Sequence, residues 1–162
     1  MRALQELAAR CEAELRSIGI QPAAKIRWVV NTRATSRWGR CQELAPDSYE
    51  ISISSRLLQE DVDIQAAKDT IMHELLHTVK GTKGHTGLWL QLAKQVNRRL
   101  PGYHIKRTTS YEEKGIQPAE ARYILQCSHC GQLFRRQRMS DLVRTPHNYR
   151  CGICGNPLKR IK

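Results

Sequence analysis

The chain has 162 residues, of which 40% are hydrophobic, and it carries a formal net charge of +12. This length allows one domain of ordinary size and a small additional module, and the sequence contains neither a stretch long enough to span a membrane nor the apolar core of a signal peptide. We therefore expect a soluble, monomeric, cytoplasmic protein that has no membrane partner, and that is nucleoid-associated if its positive charge binds DNA.

The first third of the chain predicts one helix followed by short strands. Residues 1–18 place their apolar side chains on one helical stripe, which is typical of a helix packed on a core. Alternating apolar residues predict strands at residues 25–31 and 49–54, and residues 36–41 between them predict a further strand beside a tight turn. Because one face of residues 49–54 is hydrophilic, the pattern indicates an antiparallel sheet.

Residues 61–80 predict a buried helix that carries a pair of metal-binding imidazoles. His73 and His77 are four residues apart, so they leave the same face of a helix one turn apart and can bind one Zn²⁺. Glu74 between them can reach a water molecule at that ion and act as a general base. The alternative is two His packed in the core beside a solvated Glu, but core His seldom occur as a pair with Glu at this spacing.

A catalytic zinc keeps three protein ligands and one open position, so a third ligand is required. The predicted ligand is His85, because two glycines after the helix allow the chain to reverse. His85 then begins a second amphipathic helix that extends to residue 100. His104 and Glu112 are the alternatives for the third position.

Four of the six cysteines form two Cys-x-x-Cys pairs that are separated by 20 residues. This spacing predicts a closed structural zinc site held by four thiolates, those of Cys127, Cys130, Cys151 and Cys154. A disulfide framework and a redox-active pair are the alternatives, but nothing in the sequence indicates secretion, and neither pair begins a thioredoxin-like helix. The expected metal content is therefore two zinc ions, one catalytic and one structural.

The positive charge is concentrated beyond residues 108–120, a polar segment that predicts a linker. Residues 1–120 carry 18 Lys and Arg against 14 Asp and Glu, whereas residues 121–162 carry 9 against 1. Cations interleaved with aromatic rings suit contacts with phosphates and stacking on bases. The residues predicted to make those contacts are Arg135, Arg136, Arg138, Phe134 and Tyr149. We expect DNA to bind without sequence preference, and single-stranded DNA to be favoured if a ring stacks on a base; the alternative is the solvated surface of a basic protein.

Several motifs together resemble the SprT-like zinc metalloproteases, and the resemblance covers nearly the whole chain. The motifs are Ser36-Arg-Trp-Gly-Arg-Cys41, His73-Glu-Leu-Leu-His77, Gly84-His85 with Trp89, and Tyr149-Arg-Cys-Gly-Ile-Cys154. The resemblance implies an α+β fold, in which a small zincin-like metalloprotease domain of helices packed on a short mixed sheet occupies residues 1–112 and a C-terminal four-Cys zinc ribbon occupies residues 121–162. It also implies that the three His named above are the catalytic zinc ligands and that Glu74 is the catalytic residue.

The eukaryotic relatives in this family, the Spartan proteases, cleave proteins crosslinked to DNA, and this compact chain is more similar to the bacterial members. The sequence therefore predicts a zinc-dependent endopeptidase that associates with DNA and acts on DNA-bound or DNA-crosslinked proteins. The resemblance also places a substrate strand beside the sheet edge at residues 38–41, and Tyr103, His104 and Tyr111 are candidates for a second oxyanion donor. Two alternatives remain: a nucleic-acid-binding zinc protein with an inactive His site, and a general cytoplasmic peptidase without a DNA role.

Overall fold

A computed structural model of the protein describes residues 1–34, 37–116 and 120–162. The chain is α+β and divides into two compact units, Met1–Gln117 and Pro118–Lys162. Among the described residues, every helix is too short or too polar to cross a bilayer. The paired His lie in the first unit and the clustered Cys in the second.

The first unit packs helices against a small mixed sheet. Its described residues form helices α1 (Leu4–Ser17), α2 (Ile64–Leu76) and α3 (Leu88–Arg99) and strands β1 (Lys25–Asn31), β2 (Gly39–Ala45) and β3 (Ser48–Ser54). The strand order is β1-β3-β2, with β1 parallel and β2 antiparallel to the central strand β3. β2 therefore lies at an edge of the sheet.

The sheet is mixed, so the expected antiparallel pairing is correct for β2 with β3 and wrong for β1 with β3. Ile51 and Ile53 on β3 are fully buried, whereas Ser52 between them is partly exposed. This alternation arises because one face of the strand is covered, and it does not depend on the direction of the neighbouring strands. Trp28 and Val30 of β1 lie beside the two buried Ile residues and extend the covered face.

The predicted first helix is confirmed as α1, and its apolar stripe lies in the core. The buried side chains of α1 are Leu4, Leu7, Ala8, Cys11 and Leu15. They pack with the buried face of α2, which includes Ile71, Met72 and Leu75. Core packing therefore fixes the backbone of α2, including the last turn, from which the candidate site residues extend.

α2 is shorter than the helix predicted at residues 61–80. It ends at Leu76, and His77 is its C-cap residue rather than an interior one. The hydroxyl of Thr78 donates to the carbonyl of Leu75 at 2.8 Å. A side chain that satisfies a carbonyl at a helix end competes with continuation of the helix, which accounts for the early termination.

α3 begins at Leu88, later than the predicted start at His85. Gly84 and Gly87 adopt positive φ angles of 57° and 53°, so the chain turns through this segment before the helix starts. His85 therefore lies in the turn between α2 and α3.

The segment predicted as a linker at residues 108–120 is part of the first unit up to residue 116. Lys114 is only 5% exposed, and its Nζ donates to the carbonyl oxygen of Ala66 at 3.0 Å. Ile116 is also buried in the main core. Although the segment is mostly polar, Lys114 and Ile116 attach it to the first unit. Residues 117–119 lie outside the described part of the chain.

The second unit is a small antiparallel sheet with a minimal core. Its strands are β4 (Tyr123–Cys127), β5 (Leu133–Arg136) and β6 (Leu158–Arg160), in the order β5-β4-β6, and it includes the short helix α4 (Asp141–Arg144). Its core cluster consists of Cys127, Cys151 and Leu158, with Phe134, Leu142 and Cys154 packed against it. So few buried side chains rarely stabilise a unit of this size without disulfides or a metal.

Candidate metal centres

Three imidazoles converge at the end of α2. His73 lies in the last turn of the helix, His77 at its C-cap, and His85 in the following turn. Nε2 of His85 lies 2.8 Å from Nε2 of His73 and 3.0 Å from Nε2 of His77. A tetrahedral zinc with Zn–N bonds of about 2.05 Å separates its nitrogen ligands by about 3.3 Å. The donor atoms and their spacing therefore fit one zinc ion.

The tautomer of His73 is set by a backbone contact. Nδ1 of His73 lies 3.0 Å from the carbonyl oxygen of Lys106. Because a carbonyl only accepts, Nδ1 carries the proton and Nε2 presents its lone pair toward the other imidazoles. A hydrogen bond of this kind orients metal-binding His in general.

Burial keeps the imidazoles neutral, as metal binding requires. It lowers the pKa of His73 to about 4, with further contributions from His77 and His85. Burial and the neighbouring His85 lower the pKa of His77 to about 4. The pKa of His85 is lowered by burial and then by the cationic Arg107.

Trp89 of α3 packs against all three imidazoles. Its ring centroid lies 4.8 Å from that of His73, 5.4 Å from that of His77 and 4.7 Å from that of His85. The indole is fully buried, and its Nε1 has no hydrogen-bond partner among the described residues. Trp89 therefore limits the rotation of the imidazoles by packing rather than by hydrogen bonding.

Glu74 lies against the edge strand β2, and Gly39 makes this possible. A Cβ atom at Gly39 would lie 2.5 Å from Oε1 of Glu74 and 2.7 Å from its Cγ. The backbone N–H of Cys41 donates to the Glu74 carboxylate. Sequence reasoning missed this role of Gly39; its place in the motif at residues 36–41 was the available signal.

Glu74 is 7% exposed, and burial raises the pKa of its carboxyl to about 7. The hydrogen bond from Cys41 and the positive charge of Arg37 act in the opposite direction and lower it. A divalent cation held by the adjacent imidazoles would further favour the ionised form. Glu74 is therefore a buried carboxyl whose pKa is set by burial and by the charges and N–H groups around it.

Two clefts meet at Glu74. The Lys106 cleft, about 220 Å³, is lined by residues that include Trp38, Asp69, His104, Lys106, Arg107 and Lys114. The Tyr49 cleft, about 470 Å³, is lined by residues that include Arg40, Cys41, Glu43, Tyr49, His77 and His85. Both clefts also contact Arg37, Gly39, His73 and Glu74. Glu74 is therefore accessible from both clefts.

The other sequence candidates lie at different places. His104 lines the Lys106 cleft but is outside the cluster of converging imidazoles. Tyr103 is wrong as an oxyanion donor, because it is buried and its hydroxyl donates to Glu14. Tyr111 packs edge-on against Trp38 with centroids 4.8 Å apart. The side chain of the alternative ligand Glu112, like Ser36 of the quoted motif, lies outside the described part of the chain.

We expect His85→Ala to weaken zinc binding at the imidazole site, and His104→Ala to leave it unchanged. Among the described residues, only His85 offers a nitrogen within 3.0 Å of both other imidazoles. The loss should exceed the roughly 10–100-fold decrease in metal affinity caused by removing a residue that only orients a ligand by a hydrogen bond. Competition with a chromogenic chelator measures the affinity, and release of zinc by His104→Ala but not by His85→Ala would contradict the assignment.

The four clustered cysteines form a second candidate metal site. Sγ of Cys127 lies 3.4 Å from Sγ of Cys154, and Sγ of Cys130 lies 3.6 Å from Sγ of Cys151. Tetrahedral zinc with Zn–S bonds of about 2.3 Å separates its sulfurs by about 3.8 Å, so the arrangement fits. Backbone and side-chain N–H groups of Asn156 lower the pKa of Cys154 to about 6, which favours the thiolate.

We expect the wild-type protein to bind two zinc ions per chain and Cys127→Ser to retain one, because the two donor clusters share no residue. Elemental analysis of the purified proteins measures the ratio. The retained ion should still be removable by His85→Ala in the Cys127→Ser background. A folded wild type with one zinc and all four cysteines oxidised would contradict the assignment.

The arginines that the sequence predicts to contact DNA do not all lie on one face of the second unit. Arg135 and Arg136 are adjacent on β5, so their side chains leave opposite faces of the strand. Both are exposed, as is Arg138. Tyr149 is 39% exposed, whereas Phe134 packs against the small core. Of the two aromatic candidates, the ring of Tyr149 is the more accessible to a base.

Comparison with known proteins identifies a matching family and relatives of this chain. The model of the SprT-like family matches residues 4–109. Protein SprT-like from Lactiplantibacillus plantarum is 30% identical over 136 residues, which cover 81% of this chain and 81% of the relative. Protein SprT from Salmonella arizonae is 29% identical over 119 residues, which cover 69% of this chain and 67% of the relative. The family match includes the three converging His, Glu74 and Gly39, and it ends before the clustered cysteines.

Proposed function

The chain belongs to the SprT-like family, and on this premise we propose that it is a zinc-dependent endopeptidase. The observation that carries the proposal is the convergence of three imidazole nitrogens beside a buried carboxyl in a two-sided cleft. His73, His77 and His85 would hold the catalytic zinc, and Glu74 would be the catalytic residue. We further assign a zincin-like fold to the first unit and a structural four-Cys zinc ribbon to the second.

When bound, Zn²⁺ supplies Lewis acidity, which makes a water molecule nucleophilic near neutral pH and polarises a carbonyl group. Glu74 accepts the proton of the attacking water and then delivers it to the nitrogen of the leaving amine. Its buried position suits both steps, because desolvation raises the pKa of the Glu74 carboxyl and makes the carboxylate a stronger base than an exposed one. Trp89 and the Lys106 carbonyl hold the imidazoles in place while this occurs.

The substrate is proposed to bind as a strand beside β2. On one side β2 pairs with β3. On its other side the N–H of Cys41 points away from β3 toward Glu74. A polypeptide added to this edge passes Glu74 and continues into both clefts. Because both sides accommodate further residues, cleavage within a chain is favoured over removal of a terminal residue.

A role on DNA is proposed for the second unit. Residues 121–162 carry 9 cations against 1 acid, and Arg135, Arg136 and Arg138 are exposed. Such a surface binds phosphates by releasing counterions and does not read sequence. The proposed substrates are therefore proteins bound or crosslinked to DNA, which the second unit would bring to the peptidase.

The proposal is tested by cleavage of a DNA-binding protein with and without DNA. We expect zinc-loaded protein to cleave the substrate faster when both proteins bind the same DNA. Chelation should stop cleavage and zinc should restore it. Cleavage that DNA does not change would favour a general peptidase, and no cleavage under any condition would favour a nucleic-acid-binding protein with an inactive His site.

DNA affinity should fall steeply with salt, and replacing the three exposed arginines by Ala should flatten that dependence. The slope of log K against log salt should decrease by about 0.7–0.9 for each of Arg135, Arg136 and Arg138 that meets a phosphate. Because the side chains of Arg135 and Arg136 leave opposite faces of β5, we expect the decrease in slope to correspond to two phosphate contacts rather than three. Fluorescence anisotropy at several salt concentrations measures the slope, and an unchanged slope would show that these side chains are only solvated.

A further inference from the structure

We propose that the Lys106 cleft is a subsite for an acidic side chain of the substrate, which Arg37 and Arg107 hold by charge-assisted hydrogen bonds. This inference rests on the proposed peptidase function and adds to it the chemistry of a residue near the scissile bond. An Asp or Glu side chain is the expected occupant.

Positive charge exceeds negative charge in this cleft. The cations that line it are Arg37, Lys106, Arg107 and Lys114. Lys106 is paired with Glu113, whose Oε1 lies 2.5 Å from its Nζ, and Asp69 interacts with Lys114. Among the described residues, no carboxylate lies within ion-pair distance of Arg37 or Arg107, so these two guanidinium groups remain available to an incoming anion.

Both available arginines lie close to the reacting groups. Arg37 contacts each cleft, and its charge reaches the carboxylate of Glu74. Arg107 lines the Lys106 cleft, and its charge reaches His85. Both side chains are exposed. An anionic side chain between them would therefore belong to a residue close to the bond that Glu74 helps to break.

The wall that carries Arg107 is fixed in place. The carbonyl of Lys106 accepts the hydrogen bond from His73 at 3.0 Å. The backbone N–H of Ile105 donates to Asn97 at 2.6 Å, and its carbonyl accepts from the same amide at 2.9 Å. Arg107 extends from a segment that needs little ordering when a ligand binds, which favours affinity.

The size and shape of the cleft favour a carboxylate on a side chain over a DNA backbone. Its volume of about 220 Å³ is below the roughly 300–1,000 Å³ of typical small-molecule sites. A nucleic-acid backbone needs an extended cationic groove that follows successive phosphates. Planar guanidinium groups match the geometry of a carboxylate and can bind both of its oxygens. In the Tyr49 cleft two arginines, Arg37 and Arg40, face two carboxyls, Glu43 and Glu74, so we expect no comparable preference there.

The test uses fluorogenic peptides that differ at one position, with Asp compared with Asn and Glu compared with Gln on each side of the scissile bond. These pairs change charge with little change in shape. At one position we expect the acid to raise kcat/KM about tenfold over the amide, as one charge-assisted hydrogen bond would. Arg107→Ala and Arg37→Ala should each move this ratio toward one. Arg107→Glu should reverse the preference and favour Lys.

Arg98→Ala is the matched control, because it removes the same charge from an exposed position on α3 that lines neither cleft. It should leave the acid-to-amide ratio unchanged. A ratio of one at every position in wild type, or a ratio that neither cleft variant alters, overturns the proposal. Loss of DNA affinity in the cleft variants with an unchanged ratio also overturns it, because the arginines would then serve nucleic acid.

Failure of the peptidase function is distinguishable from failure of the subsite. If wild type cleaves no peptide, the zinc-loaded Glu74→Gln protein is titrated with fluorescein-labelled Asp and Asn peptides. Tighter binding of the Asp peptide, lost in Arg107→Ala, supports the subsite without any catalysis. Equal affinities for the two peptides overturn it.

Discussion

Glu74→Gln should lower kcat/KM for protein cleavage by about a hundredfold or more, which is the usual effect of removing a general base. The amide keeps the size of the side chain and can still accept the hydrogen bond from Cys41, but it cannot take a proton from water. Glu74 is not one of the donors in the cluster of three His, so the zinc content should stay as in wild type. Initial rates on a protein substrate and elemental analysis of the same sample measure both properties.

Glu43→Gln is the matched control for this variant. Glu43 is an exposed Glu that lines the Tyr49 cleft, but it lies on β2 rather than beside the imidazoles. The substitution makes the same chemical change within the Tyr49 cleft but removes no group that takes up a proton in the proposed mechanism, so the rate should change little. Equal rates for Glu74→Gln and wild type would show that another group takes the proton, and the proposed mechanism would be wrong.

Gly39→Ala should reduce cleavage by about tenfold to a hundredfold while zinc stays bound. The added methyl group would meet Oε1 and Cγ of Glu74 at 2.5 and 2.7 Å, so the carboxylate must move. A displacement of about 1 Å at a catalytic group can cost about a hundredfold in rate. The clash involves a side chain rather than backbone, and Ala is less costly than Gly in a strand, so the melting temperature should change little.

Gly152→Ala is the control for adding a methyl group at a glycine. A Cβ there meets nothing within 4 Å, and its φ lies outside the left-handed region. Activity, zinc content and melting temperature should all be close to those of wild type. Full activity in Gly39→Ala would show that the approach of β2 to Glu74 does not position the carboxylate, whereas loss of zinc would show that the imidazoles moved as well.

The variants Glu74→Gln and Gly39→Ala change the two residues of one contact between α2 and β2. Glu74 lies on α2, whose side chains Ile71 and Leu75 are buried in the core, so its backbone has little freedom. Its carboxylate is then located by Gly39 and the N–H of Cys41 on the edge strand. We infer that the sheet edge both receives the substrate and places the base.

Features that depend on short sequence spacing could be predicted from the residues alone. An interval of four residues places His73 and His77 one turn apart on any helix, and two glycines allow His85 to return. The apolar stripe of α1 is another local pattern, and the structure confirms it. These inferences succeed because helical periodicity and glycine φ angles are properties of neighbouring residues.

Helix ends and strand directions could not be obtained in the same way. Termination of α2 at Leu76 depends on the hydroxyl of Thr78 reaching a carbonyl, an outcome that competes closely with one more helical turn. The parallel direction of β1 beside β3 depends on how the chain crosses over, and alternation reports only that one face is covered. Burial of Tyr103 against Glu14 likewise joins residues far apart in sequence.

Four features can be read from the residues alone: the paired imidazoles with their intervening carboxyl, the third His after a glycine turn, the four-Cys spacing and the concentration of positive charge near the C-terminus. Three further features depend on the folded chain: Gly39 touches Glu74, Trp89 packs on all three imidazoles, and Arg37 and Arg107 line one cleft. The physical reason is the range of the interactions. The spacing of residues within a helical turn or a Cys-x-x-Cys pair follows from covalent geometry. Contacts between β2, α2, α3 and the segment after residue 100 form only when the core packs.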